Sequence, residues 1–176
     1  MNNPFLIYFV GISGSGKTTI AERVSQALTE RGLHNLQFID GDIIRSELNG
    51  IFGYSFEERM KNNRVVCVIA SYLLRNNINV ILAQVGGYQA MREQVCSIAG
   101  NNYIEIYVKC SVEECARRDV KGYYHRAQKG EMDNLNGKNT DFEIPEKSDL
   151  VIDTEKCSID EAVDMVLRVI EKKGYF

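Results

Sequence analysis

The chain has 176 residues, 44% of them hydrophobic, with charged residues of both signs interspersed. That composition fits one soluble globular domain spanning residues 1–176 and excludes a disordered or fibrous chain. With a formal net charge of −3, no global basic field exists to draw in nucleic acid or an anionic membrane, so an anionic substrate has to be held by a local positive cluster.

Met1 to Val10 does not read as a secretory signal, since it carries no basic residue ahead of its apolar run and Gly11 to Lys17 interrupts that run at once, and no apolar stretch is long enough to span a bilayer. The expected location is the cytoplasm. Phe5 to Val10 is the first predicted strand. Lys17 to Arg31 reads as a helix with Ile20, Val24, Ala27 and Leu28 on one face, and Gly32 ends it. Leu36 to Ile39 is a second strand. A helix follows from Asp42, and another runs from Ser55 to Asn76. Asn79 to Ala83 is the third strand and Tyr88 to Ala99 the next helix. Tyr103 to Lys109 is the fourth strand, Val112 to Asp119 a short helix, and Leu150 to Ile152 the fifth strand. Ser158, with Glu161 three residues on, forms a capping box that opens a last helix to Lys172. Strands alternating with helices imply parallel βαβ units, and strands this apolar imply a sheet covered on both faces. The expected fold is therefore α/β, a three-layer sandwich around a five-stranded parallel sheet.

One stretch breaks the alternation. Lys121 to Ile144 is polar, contains Gly122, Gly130 and Gly137, and lacks apolar periodicity. A structureless segment of that length inside a compact domain is usually functional, and residues 121–140 are expected to form a lid. The five cysteines are an odd set without a C-x-x-C pair, which argues against a disulfide framework or a zinc site. Cys67 and Cys110, in apolar runs, read as small core residues.

Chemistry enters at Gly11-Ile12-Ser13-Gly14-Ser15-Gly16-Lys17-Thr18-Thr19, which matches G-x-x-x-x-G-K-[ST] between a strand and a helix. Gly14 and Gly16 let backbone N–H groups close around phosphate oxygens, and the following helix points its positive end at them. Lys17 neutralises charge on the β- and γ-phosphates of ATP, and the Thr18 hydroxyl is a magnesium ligand. No N-K-x-D motif is present, and the third strand ends Ile81-Leu82-Ala83-Gln84-Val85 without an acid, so a GTPase switch is disfavoured. The acids stand instead at Asp40 and Asp42, after the second strand, where ligands bind in such sheets. Gly41 would allow a tight turn between them. Asp42 could alternatively be only a helix cap.

Asp40-Gly41-Asp42-Ile43-Ile44-Arg45 resembles the D-G-D-x-x-R of adenylylsulfate kinases. Gly53-Tyr54-Ser55, then Arg59 and Asn62, are similar to that family's G-F-S and R-x-x-N. Val108 to Cys115, Arg118 to Tyr124, Phe142 to Pro145 and Asp149 to Thr154 resemble four further family motifs, and Asn136-Gly137 sits where its T-G-I falls. The similarity runs from about Phe5 to Lys172 and implies a kinase of the P-loop nucleoside-kinase type. It would transfer the γ-phosphoryl group of ATP, with Mg2+, to the ribose 3′-hydroxyl of adenylylsulfate. The resemblance implies that Asp42 orients and deprotonates that hydroxyl and that Asp40 supports the magnesium. Arg45, Arg59 and Asn62 would grip the phosphosulfate and ribose, and Tyr54 would stack on the adenine. Val85, Gly86, Lys121 and Leu135 would complete the acceptor site, while Arg118 and Thr154 would serve ATP. A homodimer is also implied.

The chain departs from the family pattern only around the acceptor. The family's I-S-P, aromatic, R after the third strand reads Val85-Gly86-Gly87-Tyr88-Gln89, although Arg92 remains. Leu135 replaces a second stacking aromatic. A related acceptor such as cytidine diphosphoramidate, or a non-catalytic nucleotide-binding role beside a sulfurylase, therefore stays open as an alternative.

Overall fold

The structure, a computed structural model, describes residues 4–138 and 140–175. Its centre is β1 (Leu6–Val10), in which every residue is buried. Alternate side chains serve the two sides of the sheet. Ile7 and Phe9 enter one core, whereas Leu6, Tyr8 and Val10 enter the other, as the two-residue period of a strand requires. β2 (Leu36–Asp40), β3 (Asn79–Ala83), β4 (Tyr103–Lys109) and β5 (Leu150–Asp153) complete a five-stranded sheet in the order β2-β3-β1-β4-β5. Every pairing is parallel, as the βαβ alternation predicts.

On one face lie α1 (Lys17–Glu30) and α7 (Ile159–Lys172), which bury Ile20, Val24 and Leu28 and Val163, Val166 and Ile170 in the first core. On the other face lie α3 (Phe56–Arg75) and α4 (Gln89–Ala99), which contribute Val66, Ala70, Leu74 and Val95. The Ser158–Glu161 capping box forms at the start of α7. Gly32 follows α1 at φ +97°, a left-handed conformation that glycine adopts without penalty. Cys67 and Cys110 are buried, and all five cysteines are free thiols. No described helix is long and apolar enough to cross a membrane.

Two readings change. The Lys121 to Ile144 stretch is not structureless, because Tyr123–Gln128 forms a helix, α6, with Tyr124 only 2% exposed. Six residues are too few to show periodicity in a sequence. Gly41 also serves differently than expected. It begins the helix α2 (Gly41–Glu47), and its φ is not positive. A Cβ there would lie 2.7 Å from Gln84 Cγ, so side-chain packing, not a turn, requires the glycine.

Candidate active site

All parallel strands present their carboxyl ends to one crevice, and the turn after β1 crosses its floor. Gly14 and Gly16 hold φ of +82° and +97°, so the loop curls as only glycine does readily. Lys17 is buried and donates to the Ile12 carbonyl at 3.3 Å. Burial lowers its pKa, while the Asp42 carboxylate opposes that shift, Lys121 adds to it and Asp40 opposes it more weakly. Ser15, within the loop, is fully buried, its hydroxyl without a partner among the described residues. On the outer side, Arg118 donates to Thr154 Oγ1 at 3.1 Å and to the Thr154 carbonyl at 3.0 Å. Thr154 Oγ1 in turn donates to the Ser15 carbonyl at 3.0 Å. Arg118 and Thr154 are thus coupled to the loop through its backbone. Thr19, on the first turn of α1, is exposed.

The two acids are separated by function of geometry. Asp40 Oδ1 accepts from the backbone N–H of Asp42 at 2.7 Å and of Ile43 at 3.4 Å, which makes Asp40, not Asp42, the cap of α2. Its other oxygen, Oδ2, accepts from the Thr18 hydroxyl at 3.0 Å. A hydroxyl and a carboxylate side by side beside a phosphate loop are hard oxygen donors of the kind that magnesium takes, alongside waters and phosphates. Asp42 is released from capping and faces the crevice, paired with Lys121. Burial works against its charge, but the Lys121 hydrogen bond and the charges of Lys17, Lys121 and Arg45 more than offset it, and its pKa lies below the ordinary value.

Beyond Asp42 opens a cavity of about 750 Å³, lined among others by Ser13, Arg45, Tyr54, Arg59, Val85 and Leu135. Arg45 donates to the Gly53 carbonyl at 3.0 Å and lies 4.9 Å from the centre of the Tyr54 ring. Arg59 lies 5.5 Å from the same ring, so two cations pack on one aromatic. Arg59 is also the tie to the 121–140 segment, reaching Asn136 Oδ1 at 2.7 Å and the Asn134 carbonyl at 2.6 Å. Gly86 lines the cavity at φ +57°, and a Cβ there would meet the Tyr8 hydroxyl at 2.8 Å. Leu135 is 6% exposed and packs with Ile12, Cys110, Cys115 and Tyr124, so it anchors its segment to the phosphate loop as well as lining the cavity. Tyr124 fixes the same segment from the other side, its hydroxyl donating to the Ser13 carbonyl at 2.9 Å. Asn62 is placed apart. It is fully buried, does not line the cavity, and neither of its amide atoms has a partner among the described residues.

A family model described as adenylylsulphate kinase matches residues 3–153. This chain belongs to the adenylylsulphate kinase family. It is 40% identical over 173 residues to the adenylyl-sulfate kinase of Bacteroides thetaiotaomicron, covering 96% of this chain and 86% of that one. It is 37% identical to the adenylyl-sulfate kinase of Halothermothrix orenii, covering 96% and 90%. In three dimensions it is similar to the APS kinase CysC of Mycobacterium tuberculosis in complex with AMPPNP and APS, with a TM-score of 0.90 and 29% identity over 97% of this chain and 99% of that one. The fold of the family is therefore the fold observed, a parallel five-stranded sheet flanked by helices.

The cavity also contains residues given no role from the sequence. Phe52, Gln84, Tyr88 and Met132 line it, and Tyr88 is held edge-on by Phe56 at 5.0 Å between ring centres. Of these, Tyr88 stands at the aromatic position of the family pattern after the third strand, and Gln84 carries a weaker signal as a polar residue directly after an apolar strand.

Proposed function

We propose that this chain transfers the γ-phosphoryl group of ATP to the ribose 3′-hydroxyl of adenylylsulfate, giving 3′-phosphoadenylylsulfate. The carrying observation is the position of Asp42, which is free of capping, held ionised by Lys17, Lys121 and Arg45, and set between the phosphate loop and the cavity. In phosphoryl transfer the protein mainly positions reactants and neutralises charge. Lys17 neutralises the β- and γ-phosphates, and Gly11 to Thr19 cradle them. Arg118 and Thr154 shape the ATP side. Asp42 orients the acceptor hydroxyl and takes its proton. Arg45 and Arg59 offer planar forks to phosphate and sulfate oxygens, and Tyr54 offers its ring to the base. Thr18 and Asp40 would hold the magnesium that accompanies ATP, which neutralises phosphate charge when bound. The relatives named adenylyl-sulfate kinase and the neighbour solved with AMPPNP and APS support this reading.

We also take residues 1–176 as one kinase domain with residues 121–140 as its lid, acting in the cytoplasm as a homodimer. The five free thiols fit a reducing compartment, and light scattering on the purified protein would settle the assembly state. The activity is tested by ADP release with a panel of acceptors. Adenylylsulfate should be used far better than cytidylyl compounds. Preferential use of cytidine diphosphoramidate would move the assignment to that acceptor, and ATP turnover with none of them would leave only nucleotide binding.

A further inference from the structure

Gln84 follows β3 directly, and its backbone N–H still donates to the Phe9 carbonyl at 3.1 Å, so its Cα is tied to the central strand. The side chain lies against Gly41, whose missing Cβ makes the room. It is only 7% exposed, and that exposure opens into the cavity beside Asp42. A buried primary amide in an enzyme cavity calls for an account of each of its protons.

The oxygen is accounted for. The Tyr8 hydroxyl donates to Gln84 Oε1 at 3.4 Å. Tyr8 is completely buried, and burial raises its pKa well above the ordinary phenol value, so it remains a proton donor. The nearby Arg92 guanidinium acts on Tyr8 electrostatically and is itself bound to the Gly86 carbonyl at 2.7 Å. An arginine has only protons to offer, so the phenol proton is left for Gln84. This fixes which way the amide faces. With Oε1 turned to Tyr8, the Nε2 protons turn to the cavity, where Gln84 has no hydrogen-bond acceptor among the described residues. The neighbouring wall, Gly86 and Gly87, carries no side chain to occupy them.

We propose that Gln84 is an acceptor-specificity residue, its side-chain amide donating to an oxygen of the sugar–phosphosulfate part of the acceptor nucleotide beside the hydroxyl held by Asp42. The inference rests on the acceptor reading given above. The amide adds a hydrogen bond without adding charge, so it does not compete with Lys121 and Lys17 for the Asp42 carboxylate.

Gln84→Glu is the decisive variant. It keeps the shape and keeps an oxygen for Tyr8, but it replaces the outward donor with an anionic acceptor facing an anionic ligand. Binding of adenylylsulfate is measured by calorimetry with a non-hydrolysable ATP analogue present, for the parent, Gln84→Glu and Gln84→Met. Gln84→Met should weaken binding about three- to tenfold, the range of one lost hydrogen bond, and Gln84→Glu should weaken it more. ATP KM of Gln84→Glu should match the parent, whatever Tm the buried carboxylate costs. Unchanged acceptor affinity in Gln84→Glu overturns the proposal. So does a fall in Tm accompanied by equal losses for ATP and acceptor, which is the signature of a packing role alone. If the parent itself binds no adenylylsulfate, the acceptor reading fails separately. The same variants are then titrated with whichever nucleotide acceptor the panel identifies, and the absence of any acceptor overturns both.

Discussion

Around the phosphate loop, polar groups are held by backbone. Lys17 lies on the Ile12 carbonyl, Thr154 on the Ser15 carbonyl, and Arg118 on the Thr154 carbonyl. Across the crevice the acceptor wall uses backbone carbonyls too, but adds side-chain pairs between distant elements, with Arg59 of α3 reaching Asn136 and Lys121 reaching Asp42. The loop, the donor half of the site, is one short turn, Gly11 to Thr19, pinned from outside by Thr154. The acceptor wall, the other half, brings together α3 and the 121–140 segment, and the proposed acceptor choice resides there.

The sharpest blow to the donor half is Lys17→Ala. It removes the buried cation that balances charge as the γ-phosphoryl group leaves, and turnover should fall by roughly 10²–10³ without loss of fold. Steady-state rates with saturating adenylylsulfate check this, and near-normal turnover would sink the mechanism.

Asp42→Asn stands at the junction of the halves. Because Asp40 is the cap, the change leaves the start of α2 intact. It removes the carboxylate that takes the proton, and kcat should fall on the order of 10² with ATP affinity nearly constant. The parent's acid limb tests the same residue. The folded Asp42 pKa lies below the ordinary value, so the Asp42–Lys121 interaction is fully present above the ordinary carboxylate range and is lost only as pH falls through the lowered folded value. The acid limb of kcat/KM, which reports the free enzyme, should accordingly sit below the ordinary carboxylate range. An acid limb in the neutral range would assign the base elsewhere.

How far the sequence alone could carry the reader follows from the same contrast. The phosphate loop was legible because glycines at left-handed φ, a lysine and a threonine must stand at fixed spacing. The five strands were legible because each is a short apolar run, and their ends shifted by one residue at most. Asp40 and Asp42 were legible as a pair, but their division of labour was not, since it depends on which carboxylate reaches the Asp42 and Ile43 amides. The helix α6 was hidden because a six-residue helix with one buried tyrosine leaves no period. Gln84 was passed over because its value depends on Tyr8 and Gly41, which lie far from it in the chain. Asn62 was assigned to the acceptor site by the family resemblance, yet its side chain is fully buried and does not line the cavity.

A smaller effect separates ring from charge on the acceptor side. Tyr54 is half-exposed and lies under Arg45 and Arg59. Base–aromatic stacking is worth roughly 1–3 kcal/mol, and leucine retains apolar contact, so Tyr54→Leu should raise the adenylylsulfate KM about five- to tenfold. The KM for ATP should not move. An equal rise for both would mean that the ring only props the two arginines.

The smallest change in turnover is expected at Leu135, the residue that serves both halves. On the reading that it stands in for a stacking aromatic, Leu135→Phe would strengthen adenine acceptors alone. The packing argues for another outcome. Leu135 is nearly closed off by Ile12, Cys110, Cys115 and Tyr124, and the adjoining Gly137 lies so close that a Cβ would come within 2.9 Å of Ile12 Cγ2. A larger ring has little room there. Overpacking costs about 1–3 kcal/mol, and at the low end of that range Tm should fall by about 2–4 °C for a chain of this size. The strained contact is between lid and phosphate loop, so the modest loss of activity should be common to every acceptor, with faster hydrogen exchange around Tyr124. A gain confined to adenine acceptors, with Tm unchanged, would instead show that the ring turns outward beside Tyr54 and that the lid can be rebuilt from the acceptor side alone.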